Sequence, residues 1–279
     1  MAAREFGGAA QAKKLDDPLP LLNEAIRLAP DASRYYVSRA QYFVLAATKD
    51  KDGETVAATP DFEKAMLDKA IADCDKAIRL DPSFAHAYHL RGNARLIRED
   101  FDGAIADFEK ATSLKSSFKS PPITEILLMR ADSRAEKGDL KGALADIDRA
   151  LKAEPKNVYA LGSRSEVWIK LKKFDRADAD LKESLRLEPA NEVCLAGRSR
   201  FLSACPDAKY RNGAEALELA KKLKGSSEES IAAAYAEMGE FEKAVHWQQK
   251  AMLDRSVAKE PDAQRRLQLY KAKRPYRLD

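Results

Sequence analysis

TEILLMRADSRAEKGDLKGALADIDRALKAEPKN, residues 124–157, is followed without a gap by VYALGSRSEVWIKLKKFDRADADLKESLRLEPAN, residues 158–191. Ala143 and Ala177, Leu151 and Leu185, Pro155 and Pro189, and Asn157 and Asn191 each stand 34 residues apart. Each run reads as two amphipathic helices. The first, of about fourteen residues, ends at a turn, Lys137-Gly138-Asp139 or Lys172-Lys173, and the second stops before a Glu-Pro pair that cannot continue it. This is a repeat period, and it decides the fold class.

A helix-turn-helix unit of this length resembles the tetratricopeptide repeat. The resemblance implies an all-α, right-handed solenoid of about six units with irregular ends, built as a single array. A first unit at 1–32 is frayed or cut short: Arg4 to Lys14 is a shortened first helix, and PLPLLNEAIRLAP (18–30) a second one. Pro18 suits a first turn, whereas Pro20 is costly deeper in a helix. The unit at 33–84 has an aromatic first helix, an inserted polar loop at 48–60, and a long second helix from Asp61 to Leu80. Residues 85–123 match the repeat most fully, with Gly92, Ala104 and Ala111 small enough for two helix backbones to approach. After the units at 124–157 and 158–191 comes an irregular one at 192–224, in which CPDAKYRNG replaces the short turn before a helix from Ala214 to Lys224. A last unit at 225–257 carries Gly239, Phe241, Ala244 and Ala251. A capping helix and basic tail close the chain at 258–279, with Leu267, Leu269 and Tyr270 covering the last hydrophobic edge. ACPDAKYRNG together with AAAYAEMGEFEKAV is similar to the C-terminal end of a group of bacterial proteins of this repeat family.

Hydrophobic residues at 45% and charged residues at 34% fit a soluble helical protein rather than a disordered chain. No run reaches the apolar length that spans a bilayer, and no secretory segment is visible at the N-terminus, which points to the cytoplasm. The net charge of +4 is carried by Lys259 to Asp279 alone, where seven Lys or Arg face three Asp or Glu. A nucleic-acid-binding array carries a basic stripe along its length; a basic tail reads as a solvated terminus, so nucleic acid is not expected as a partner. Cys74, Cys194 and Cys205 form no CxxC pair. On one straight helix residues 194 and 205 lie about 16 Å apart, so all three read as free thiols.

Comparing the repeats with one another exposes two columns. An arginine precedes the small residue of each first helix: Arg39, Arg91, Arg130, Arg164 and Arg198. An aspartate stands before a core position of each second helix: Asp73, Asp107, Asp146 and Asp180. Arg91 and Asp107, Arg130 and Asp146, and Arg164 and Asp180 are each sixteen apart. In the last unit Ile231 and Trp247 replace both members. The pattern predicts structural ion pairs that clamp each helix pair, with Arg198 left without an evident partner.

In the family the first helices line a concave wall along which a peptide lies. The resemblance places Gln41, His86, His89, Asn93, Glu125, Asp132, Glu136, Tyr159, Glu166, Lys170 and Arg200 on that wall, together with Arg34, Val37 and Leu128. Asn93 matches the asparagine of a carboxylate clamp, but Val37, His89, Leu128 and Gly162 stand where its lysines belong, which excludes the clamp. The acids favour a neutral or basic segment. No nucleophile triad, phosphate loop or HExxH helix is present. His86 and His89, three apart, read as polar surface rather than a metal pair, and Cys205 as a half-buried thiol rather than an activated one. The expectation is a non-catalytic scaffold, without cofactor or metal, that binds a protein or peptide. The alternative is a structural protein that self-assembles into a homo-oligomer through its terminal units, using the aromatic helix from Arg34 to Val44.

Overall fold

A computed structural model describes residues 17–48, 59–114, 121–225 and 227–278. The shortened helix at 4–14, most of the inserted loop at 48–60 and the segment 115–120 therefore lie outside the described residues. Among the described residues there is no strand, and the chain runs as helix after helix. It divides into two compact units, Met1–Ile126 and Leu127–Asp279.

The first unit holds α1 (Leu19–Leu28), α2 (Ser33–Thr48), α3 (Pro60–Leu80), α4 (Ala85–Ile97), α5 (Phe101–Ser113) and the start of α6 (Ile123–Glu136). Helix α1 begins at Leu19, so Pro20 falls in its first turn, where no backbone donor is missed. Thr59 caps α3 by accepting from the Phe62 N–H at 3.3 Å. Tyr36, Val37, Ala40 and Phe43 of α2 are buried with Leu67, Ala70, Cys74 and Ala77 of α3 and with Ala87, Leu90 and Ala94 of α4. This corrects one expectation. Val37 is 2% exposed and belongs to the core, not to a binding wall, because an aliphatic side chain at that column is drawn into the cluster. Of the aromatic residues of α2, Tyr36 and Phe43 are buried inside its own unit, and Tyr35 and Tyr42 are half-buried.

Close approach of α4 and α5 depends on Gly92, where an added Cβ would stand 2.9 Å from the Phe108 ring. Phe108 is fully buried and cannot retreat. In Gly92→Ala the helix-propensity gain of about 1 kcal/mol opposes an overpacking cost of about 1 to 3 kcal/mol. The variant is expected to melt earlier than wild type; an equal or higher melting temperature would mean that the ring relaxes freely.

The second unit takes the rest of α6, then α7 (Leu140–Ala153), α8 (Val158–Lys170), α9 (Phe174–Leu187), α10 (Glu192–Ala204), α11 (Gly213–Ala220), α12 (Glu228–Glu237), α13 (Phe241–Ala251), α14 (Arg255–Lys259) and α15 (Pro261–Lys271). Some second helices start on side-chain caps: Asp139 accepts from Gly142 N–H at 2.9 Å, as Asp100 does from Gly103 at 3.1 Å in the first unit, whereas α9 and α13 start on Lys173 and Glu240 without one. The first helices α8 and α10 start on asparagine, with Asn157 accepting from Ala160 at 3.0 Å and Asn191 from Val193 at 2.9 Å. The turn within each pair needs one left-handed residue. Gly138 (φ 84°) and Gly239 (φ 79°) adopt it without steric cost, while Glu99 (φ 59°) and Lys172 (φ 56°) adopt it against theirs.

The arginine column clamps the pairs through bidentate forks. Nε and Nη2 of Arg39 donate to Asp73, both at 2.7 Å. Arg91 donates to Asp107 at 2.9 and 2.6 Å, Arg130 to Asp146 at 2.8 and 2.5 Å, and Arg164 to Asp180 at 2.9 and 2.8 Å. A second contact was not legible in the sequence. The remaining Nη1 reaches back to the preceding second helix: Arg39 to Asn23 at 2.7 Å, Arg91 to Asp75 at 2.5 Å, and Arg164 to Asp148 at 3.0 Å. Each such fork ties three helices. Arg95 and Arg134, one turn further on, add bonds to Asp107 at 2.7 Å and Asp146 at 2.6 Å. Arg198 does have partners, contrary to expectation: it donates to Asp178 on α9 and lies 3.8 Å from Glu215 on α11.

The irregular repeat turns at Ala208–Tyr210, a 3-10 turn capped by Asp207. Helix α11 ends at Ala220, short of the expected Lys224, because Lys222 and Leu223 close tight turns onto Leu219 and Ala220. In the last repeat Ile231 is buried and Trp247 packs against the same cluster, so apolar contact replaces the ion pair. Leu267 and Tyr270 of α15 are buried, as a capping helix requires. The basic tail is solvated only in part: Lys271, Lys273 and Arg274 are exposed, whereas the residues that follow are packed. The Leu278 N–H donates to the Ala204 carbonyl at 2.9 Å, and Leu278 packs against the cluster of Phe201, Cys205 and Tyr210.

Candidate functional site

With arginines and aspartates committed to clamping the pairs, the opposite faces of α6, α8, α10 and α12 are left free. In the second unit they enclose a groove of about 880 Å³. Asp132 and Glu136 on α6, Tyr159, Glu166 and Lys170 on α8, and Arg200 on α10 all line it. Residue types succeed each other along three columns of equivalent positions. Tyr159 and Val193 form one, Leu128, Gly162 and Ala196 the second, and Asp132, Glu166 and Arg200 the third. The floor is shallow because Gly162 has nothing within 4 Å of where a Cβ would stand. Around it rise Met129, 49% exposed, Tyr159, 55%, and Val193, 52%.

Charge is unevenly compensated along the groove. Arg200 donates to Glu166 at 2.6 Å, and Lys170 donates to the Ala135 carbonyl at 3.4 Å. Desolvation, then the charges of Glu166 and Glu136, push the Asp132 carboxyl above its ordinary pKa, against the pull of Lys170 and a hydrogen bond with Ser163. At the far end Arg266 and Gln248 both donate to Glu229, at 3.0 and 3.2 Å. Gln248 is fully buried at the column held by Phe108, Ile147 and Leu181 in other repeats, a polar substitution that sequence comparison passed over. Arg266 and Tyr276 also line the groove, so the tail contributes to it.

The remaining candidates belong to the first unit. Gln41 is exposed on α2, and Glu125 is exposed near the start of α6. His86 and His89 are half-buried on α4; His89 stands edge-on to Phe108 and shares a 3.2 Å contact with Asn93. Burial pushes both imidazoles below their ordinary pKa. Among the described residues no three His, Cys, Asp or Glu side chains converge as a metal site requires. Cys74, Cys194 and Cys205 are free and buried, and burial raises each thiol, the reverse of an activated nucleophile. No helix among the described residues is long and apolar enough to cross a membrane.

Comparison with known proteins agrees with the helical-repeat fold. Family models of the tetratricopeptide repeat match residues 85–118 and 128–192. No curated protein matches the chain by sequence. Among solved structures, a tetratricopeptide repeat protein from Parabacteroides merdae ATCC 43184 superposes with a TM-score of 0.53 at 19% identity, covering 85% of this chain and 88% of that one. Yeast Tom70 superposes with a TM-score of 0.51 at 18% identity over 92% of this chain, which spans 51% of Tom70. These likenesses concern the fold. The 34-residue period of residues 124–191, the paired helices and the family matches agree, and the chain carries tetratricopeptide repeats at residues 85–118 and 128–192.

Proposed function

We propose that this protein is a non-catalytic scaffold whose second unit holds a segment of a protein partner in the groove. One observation carries the reading. Of the large hydrophobic side chains exposed among the described residues of the second unit, Met129, Tyr159 and Val193 all stand in the groove, and only Leu253 lies elsewhere. Apolar side chains gathered around a glycine floor, rimmed by charges of both signs, suit a peptide or helix that buries a few anchors and orients itself by its polar groups. Repeats that clamp their own helices this firmly present such anchors in fixed register, which lowers the ordering cost of binding.

Gly162→Trp tests the reading. The indole enters open space, so the fold is expected to survive with an unchanged or slightly higher melting temperature. Affinity capture from source-cell lysate with the wild-type chain and this variant, read by mass spectrometry, is expected to lose its specific proteins in the variant. An identical captured set at equal melting temperature would remove the groove as the binding site.

A further inference from the structure

The second unit already seats one segment, its own. Arg277 lies 2.6 Å from Glu237 and donates to the Ser203 carbonyl at 3.2 Å. Next to it Leu278 makes the main-chain bond to Ala204 and enters the cluster of Phe201 and Tyr210. Tyr276 lines the groove, with the Arg266 guanidinium 4.9 Å from its ring centre. A non-helical Tyr-Arg-Leu run is thus held by a carboxylate for its cation, a carbonyl for its N–H and an apolar cluster for its leucine. Farther along the groove the same kinds of contact stand ready. Asp132 and Glu136 offer carboxylates, Met129, Tyr159 and Val193 offer apolar surface, and Gly162 admits a close main chain.

Resting on the groove reading above, we propose that the occupant is a basic, non-helical segment. Its lysine or arginine is received by Asp132 and Glu136, and an adjacent aliphatic or aromatic residue lies on Met129, Tyr159 and Val193. Charge balance favours this chemistry. Glu166 and Glu229 already hold Arg200 and Arg266, whereas Lys170 is the one groove cation that acts on Asp132, against the charges of Glu136 and the Arg200-bound Glu166. A cation placed there relieves their mutual repulsion, and an acidic segment would add to it.

Selection of a phage-displayed random dodecapeptide library on the full chain, counter-selected on Gly162→Trp, tests both levels. Gly162→Leu replaces the tryptophan variant should that one melt early. Selected peptides are expected to carry Lys or Arg beside an aliphatic or aromatic residue. Their synthetic counterparts are expected to bind Asp132→Asn/Glu136→Gln at least about tenfold more weakly and to weaken as salt rises. Peptides that depend on Gly162 but carry no basic residue, or that bind the double variant equally well, would overturn the basic chemistry while leaving the groove in place. Failure to select any peptide that distinguishes wild type from the Gly162 variants would overturn the groove reading and the proposal with it.

Discussion

Asp146→Ala is expected to destabilise the second unit by about 3 to 5 kcal/mol, the range seen when one member of a buried ion pair is removed. Asp146 is 4% exposed and serves two guanidinium groups, Arg130 through a fork at 2.8 and 2.5 Å and Arg134 at 2.6 Å. Alanine strips the acceptor while both arginines remain tethered beside the α6–α7 interface. The Arg130 cation is not easily returned to water, since its side chain is only 12% exposed. Asp180→Ala is the internal control. It removes the fork from Arg164 alone, and that arginine keeps Asp148 at 3.0 Å on an exposed carboxylate. The smaller loss expected there is about 1.5 to 3 kcal/mol. Thermal and urea unfolding followed by circular dichroism separate the two: Asp146→Ala should melt lower by on the order of 10 °C, with Asp180→Ala between it and wild type. Equal losses would show that the second arginine contributes nothing, and no loss in either would show that the columns are surface ornament.

The helix pairs and their clamps were legible because they repeat. A fixed period puts the same residue type at the same register, so the Arg-Asp spacing could be read from one repeat against the next. The reach of Nη1 to the preceding helix was not legible, because its acceptor changes type, from Asn23 to Asp75 to Asp148. For Arg198 it also changes spacing. Asp178 lies 20 residues back instead of sixteen, since Lys182 occupies the usual position. Val37 was misplaced for the opposite reason. Register assigns it the column of Leu128 and Gly162, but which way a column faces depends on what packs around it, and in the first unit that is core. The tail had no period at all. Its seven basic residues suggested a solvated end, while its partners Ser203, Ala204 and Glu237 lie at the ends of helices remote in sequence. Composition reports charge, and only packing reports where a chain end goes.

That packing gives the second large effect. Phe201→Ala is expected to cost about 3 to 5 kcal/mol, as for other fully buried aromatic side chains cut to alanine. The ring is 0% exposed and joins a regular helix pair to elements outside the repeat pattern. Ile169, Ala177 and Leu181 come from α8 and α9, Tyr210 from the 3-10 corner with its ring centre 5.8 Å away, and Leu278 from the tail. A cavity here is therefore felt beyond global stability. Cys205, in the same cluster and fully buried, reports it directly. In wild type its thiol is shielded and its pKa raised, so a disulfide reagent should modify it only through opening of the structure. In Phe201→Ala, labelling of Cys205 should accelerate well beyond that of Cys74, which lies in the first unit and serves as the reference. Trypsin should also cut after Lys271 and Lys273 sooner than in wild type, because Leu278 loses its seat and the segment that follows them is released. Arg277→Ala provides the discriminating comparison, since it removes the contacts to Glu237 and Ser203 but leaves the cluster filled. If that variant speeds cleavage without exposing Cys205, the corner and the tail are held by separable interactions. If Phe201→Ala leaves Cys205 labelling at the wild-type rate, the ring is not what joins them.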